Sequence, residues 1–175
     1  MAVNGVTELI PYHEAVDGIS PRKHWLGADR IEWVMTTVNR WPSSYKYRAA
    51  LQLGERTAEG MFVQMEYKAG KVDGAPERLY FGLFVQGARS FAVDEGGFTR
   101  HRNKVGRGLP FYQQTIGHPH MHIPVMEASY GYAEPVERRP AEQLWQLFLH
   151  RANIHGAPIL NLPDEIGQNG QLRLI

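Results

Sequence analysis

Between residues 45 and 136 the chain repeats one pattern. Apolar segments of strand length are set apart by glycine-rich connections, which confines most of the chain to antiparallel sheet. Residues 45–53 and 61–67 are rich in aromatic and aliphatic side chains, and a turn is expected across 54–60. Residues 69–76 are turn chemistry from end to end. Residues 79–86 form the most apolar run and predict a central strand. The segments 91–94 and 98–103 predict a hairpin across Glu95-Gly96-Gly97, and a further short strand is expected over 130–136.

The flanks read as helical. Ser20 and Pro21 predict an N-cap and a first helical position. Asp29 predicts the cap of a second short helix bearing Ile31, Val34, Met35 and Val38, although β-branched Val34, Thr36, Thr37 and Val38 also suit a strand. Pro140 and Glu142 open the clearest helix, over 140–154. Leu144, Leu147, Phe148 and Arg151 form its stripe, Trp145, Leu149 and Ala152 widen it, and His155-Gly156 provides the stop. The fold class expected is α+β: a curved antiparallel sheet, up to a half-barrel, with a C-terminal covering helix and a short N-terminal helical segment. A chain of 175 residues supports one domain. Its parts are an N-terminal segment over 1–42, sheet over 44–136, helix over 140–154 and a tail over 157–175.

Composition removes several function classes. The absence of cysteine excludes disulfides, thiolate zinc sites and cysteine nucleophiles, so any metal must be held by imidazole, carboxylate or carbonyl. No secretory leader or apolar span is apparent, which makes the cytoplasm the expected location and argues against a membrane partner. A net charge of +1 means that binding to nucleic acid would have to rest on a local patch.

Chemistry concentrates in residues 114–123, Gln-Thr-Ile-Gly-His-Pro-His-Met-His-Ile, where His118, His120 and His122 occupy alternate positions. On one strand their imidazoles would share a face at a pitch of ~7 Å. Pro119 lacks an N–H, which predicts a sheet edge or a bulge and an accessible row. A second patch, Arg100-His101-Arg102-Asn103-Lys104-Val105-Gly106-Arg107-Gly108, sets five basic or imidazole side chains within eight positions and is rich in donors suited to phosphate, against the ordinary reading as a solvated hairpin. Tyr112, Tyr130 and Tyr132 are candidates for stacking on bases, against the ordinary reading as sheet aromatics.

The decapeptide resembles the signature strand of the histidine-triad nucleotide hydrolases and transferases. That resemblance implies His120 as nucleophile on phosphorus, with His122 and His118 serving the phosphate and leaving group. The spacing from His120 and His122 to Glu127 is similar to the first cupin motif, without its flanking glycines. A longer resemblance, over residues 90–158, is to small bacterial proteins of mobile-element and phage-defence neighbourhoods. It runs through Asp94, Gly97, His101-Arg102-Asn103, Pro119-His120-Met121-His122-Ile123, Tyr130-Gly131 and Leu144-Trp145. It implies that His101, Asn103, His120 and His122 cluster.

The sequence therefore predicts a protein that acts on or binds a phosphate-bearing partner, RNA or a nucleotide. His120, His122 and His101 are the candidate catalytic groups, and Arg100, Arg102, Asn103, Lys104 and His118 the phosphate binders. The alternatives are a non-enzymatic interaction or inhibitor protein, and a metal-binding protein with His120, His122, His101 and Glu127 as ligands to a divalent ion. Oligomeric state is left open.

Overall fold

The computed structural model describes residues 10–36, 42–70, 76–97 and 100–163. After helix α1 (Tyr12–Ile19) come strands β1 (Lys23–Trp25), β2 (Val34–Met35), β3 (Ser44–Leu53), β4 (Arg56–Ala69), β5 (Pro76–Val85) and β6 (Ala88–Glu95). Next follow β7 (His101–Arg102), β8 (Thr115–Ile116), β9 (His120–Val125), β10 (Ala128–Pro135), α2 (Ala141–Arg151) and β11 (Ile154–His155). The main sheet runs β10-β9-β6-β5-β4-β3-β1-β11, with β2 attached to β3. It curls into a half-barrel and is antiparallel throughout, except that β1 and β11 pair in parallel. The expected α+β architecture is present.

Strand β4 shows how the sequence builds it. Met61, Val63, Met65, Tyr67 and Ala69 are buried while the residues between them are half-buried, which is the period-2 alternation of a sheet with one packed face. Helix α2 closes that face. Trp145 packs on Phe81 at 5.1 Å and edge-on to Trp25 at 6.0 Å, and Phe148 stacks on Phe91 at 5.7 Å. Burying each large aromatic contributes roughly 2–3 kcal/mol. Leu144, Leu149 and Ala152 are also buried, whereas Arg151 of the expected stripe faces solvent.

Lys23 ties the ends together. Its side chain is fully buried, and Nζ donates to the carbonyls of Ile19, Pro21 and Ala152 at 2.7, 2.7 and 2.8 Å. Ile19 ends α1 and Ala152 caps α2, so one ammonium serves the negative ends of both helices. Burial pushes Lys23 down to about 8, and it remains cationic at neutral pH.

Several local expectations are corrected. Ser20 ends α1 instead of starting a helix, and residues near Asp29 form no helix: Val34 and Met35 lie in β2. The turn after β3 is tighter than 54–60, because β4 already begins at Arg56. The predicted hairpin partner of β6 fails: β7 pairs with β8 in a separate two-stranded sheet. Helix α2 ends at a left-handed Asn153 (φ 52°), not at His155-Gly156, and β11 follows at once. Val38, most of the 69–76 loop and the tail beyond 163 lie outside the described residues. None of the described helices is long and apolar enough to cross a membrane.

Candidate metal centre and anion pocket

The histidine row is broken in two. Residues 117–119 leave the strand, with a cis bond between His118 and Pro119, and β9 starts at His120. That strand lies between β6 and β10, so it is not an edge. His120 and His122 are 2% and 3% exposed, which corrects the expectation of an accessible row. Both leave the face opposite α2, because their neighbours Met121 and Ile123 pack on the core. His118 stands off the strand, but its ring remains 4.6 Å from that of His120.

Pairing of β6 with β9 sets Asp94 directly opposite His120 and Ala92 opposite His122. The Asp94 carboxylate reaches His122 Nε2 at 3.1 Å and His120 Nε2 at 3.5 Å, and the two Nε2 atoms are 3.1 Å apart. Donor atoms bound tetrahedrally at ~2.0–2.1 Å from one ion are roughly 3.3–3.4 Å apart. The triangle therefore has the dimensions of three facial ligands with an open fourth position, and the Asp94, His120, His122 group can hold a metal ion.

Protonation agrees with the distances. His120 Nδ1 lies 2.8 Å from the Gly117 carbonyl, so Nδ1–H donates there and the Nε2 lone pair faces the triangle. Burial pushes His122 down to about 4, keeping it neutral. Burial alone would raise Asp94, but its contacts with His120 and His122 outweigh this and hold the carboxyl well below the usual carboxylate range. A neutral His122 imidazole thus stands beside an anionic carboxylate, an arrangement that attracts a cation. The Nδ1 of His122 is buried without a hydrogen-bond partner among the described residues, and its ring stacks on Tyr130 at 4.6 Å.

The triangle lines a pocket of about 390 Å³. Arg78, Arg89 and Arg100 line it together with Gly96 and Gly97, and the Arg78 guanidinium is paired with Glu66 at 3.0 Å. Arg89 lies over the Tyr130 ring at 3.9 Å, with its Nε buried and unpartnered among the described residues. His101 enters from β7, its ring 4.6 Å from His122 and 5.9 Å from His120. Its Nε2–H donates to the Gly131 carbonyl at 2.9 Å, which withdraws that nitrogen from metal binding, and burial lowers its pKa.

The remaining predicted residues divide. Arg100 and His118 line the pocket. Arg102 and Lys104 are exposed and do not. Asn103 is wholly buried and structural: its Nδ2 donates to the carbonyls of Phe111 and Ala133, and its Oδ1 accepts from Ala133 N–H at 2.7 Å. Glu127 accepts from the backbone N–H groups of Gly106 and Arg107, both at 2.8 Å, so it braces a loop and is no ligand. Asp94, Arg78 and Arg89 were not among the candidates. Alternation along β6 would have placed Asp94 opposite the core, but only the pairing of β6 with β9 gives it a function.

Comparison of the chain with protein-family models, curated proteins and solved structures finds no match. The site's own chemistry must carry the functional reading.

Proposed function

We propose that the protein is a metal-dependent hydrolase of a phosphate-bearing substrate. The observation that carries this is the Asp94–His120–His122 triangle, with 3.1–3.5 Å between donor atoms, at the wall of a pocket bearing three arginines. Two imidazoles and one carboxylate suit zinc, iron or manganese better than magnesium or calcium. A cation there would polarise a phosphoryl oxygen and supply hydroxide from bound water near neutral pH. Arg89 and Arg100 would offset the charge developing on the phosphate, as charge-assisted donors in a pocket of restricted water. His118 and His101 flank the triangle within reach of a leaving group. In this reading His120 is a ligand, not a nucleophile, since its free nitrogen points at the cation position.

Hydrolysis of bis(p-nitrophenyl) phosphate by metal-loaded protein tests the proposal. Activity is expected to vanish with a chelator, to return with zinc, iron or manganese, and to fall below about 1% in Asp94→Ala. Full activity in the chelated protein would overturn it.

The alternative of a protein that docks a partner through an exposed histidine edge and the basic loop keeps only the loop, because β9 is paired on both sides while Arg100, Arg102 and Lys104 are exposed.

A further inference from the structure

The sheet face outside the core continues well beyond the pocket, and its residues have a composition of their own. On β4 the non-core positions are Phe62, Gln64, Glu66 and Lys68. Register places Lys46 and Arg48 of β3 beside Glu66 and Gln64, and Arg78 and Phe84 of β5 beside Lys68 and Phe62. Five cations of this face (Lys46, Arg48, Lys68, Arg78 and Arg89) stand against two carboxylates, Glu66 and Asp94. The whole chain carries only +1, so positive charge is concentrated here.

Flat groups run through the same face. The Arg48 guanidinium lies 4.4 Å over the Phe62 ring and is held there by a 2.6 Å hydrogen bond to Gln64 Oε1. Phe62 stacks on Phe84 at 4.7 Å and 9°. Phe84 is the register partner of Arg89, which lies over Tyr130, and Tyr130 stacks on His122 of the metal triangle. A ladder of rings and guanidiniums thus leads from β3 into the pocket. It crosses four strand-to-strand steps, roughly 19 Å at ~4.8 Å per step. Arg78 belongs to both the ladder's face and the pocket.

We propose that this face is a binding platform for single-stranded nucleic acid, laid across the sheet so that one phosphate enters the pocket. A base stacks on the outer face of the exposed Arg48 guanidinium, which the Phe62 ring supports from below. Ring edges line the path to the pocket, and the cations follow the phosphate backbone. A mononucleotide would leave most of the ladder unused, and a duplex would hide the base faces the ladder is suited to meet. The inference names the substrate class of the reading above and rests on it for the cleavage step; binding itself is independent of the metal.

The test is fluorescence anisotropy with fluorescein-labelled twelve-nucleotide oligo-U and oligo-dT, in chelator so that nothing turns over, beside a duplex of equal length. Both single strands are expected to bind more tightly than the duplex and to weaken with salt. Arg48→Glu and Phe62→Ala should each weaken binding by roughly 5- to 100-fold, the loss of about one stacked base. Phe62→Leu, which keeps apolar area but not the ring face, should show the same direction if Phe62→Ala fails to fold. Arg102→Glu, on a surface outside the platform, should bind as wild type. Equal binding of duplex and single strand, or wild-type binding by Arg48→Glu, would overturn the inference. Oligonucleotide binding without any metal-dependent hydrolysis of bis(p-nitrophenyl) phosphate would instead overturn the function proposed above and leave the platform standing.

Discussion

Replacing Lys23 by Met separates the scaffold from the site. The substitution keeps most of the apolar stem and removes an ammonium that donates to three carbonyls at 2.7–2.8 Å. Charge-assisted hydrogen bonds contribute roughly 1.5–3 kcal/mol each, so about 5–9 kcal/mol of interaction is lost. Against this, lowering the lysine from 10.5 to about 8 corresponds to roughly 3 kcal/mol of burial cost at neutral pH, which Met does not bear. The net loss is then about 2–6 kcal/mol, a large share of a small protein's stability. Because the folded pKa lies below the unfolded one, the folded state binds fewer protons between pH 8 and 10.5, and wild-type stability rises across that window relative to Lys23→Met. Urea titrations of both proteins at pH 7 and pH 10 measure this: the gap should be wide at pH 7 and widen further at pH 10. A gap under ~1 kcal/mol at pH 7 would refute the assigned role, and one that narrows at pH 10 would refute the lowered pKa of Lys23. Strand β1 lies at the far end of the sheet from β9, so folded Lys23→Met should keep wild-type metal affinity.

Arg89→Ala and Arg100→Ala should each raise KM for a phosphate ester by roughly 10- to 100-fold, the value of one charge-assisted contact, while Arg102→Ala and Lys104→Ala stay within about twofold. Steady-state kinetics on the four variants separates pocket from surface arginines. Asn103→Ala orphans the Phe111 and Ala133 carbonyls and the Ala133 N–H, and should cost about 3 kcal/mol, seen as a lower Tm. Metal affinity should fall as pH drops towards 4, where a proton competes for the His122 nitrogen; titration calorimetry at pH 6 and pH 4 shows the direction.

What could be read in the sequence follows the range over which each signal acts. Strands β3 and β5 were visible because period-2 burial and glycine turns are local. Helix α1 was missed because Pro11 stands at its N-cap with no side-chain cap, so the usual polar start signal is absent. The histidine spacing correctly marked His120 and His122 as one face, but nothing local reveals that 117–119 leave the strand. The clustering of His101 with them was anticipated, whereas Asp94 depends on pairing across 25 intervening residues that contain a separate two-stranded sheet. Local polarity misled at Asn103 and Glu127, whose side chains satisfy backbone groups of neighbouring loops. Arg78 and Arg89 fall just outside the expected strands 79–86 and 91–94, and only register brings them beside the triangle.

Elemental analysis of purified protein, dialysed against zinc, iron or manganese and then against metal-free buffer, tests the central claim most directly. About one equivalent of metal per chain is expected in wild type, and close to none in Asp94→Ala and His122→Ala that remain folded. Metal-free wild type after every dialysis, or equal metal in the variants, would contradict a centre at Asp94, His120 and His122.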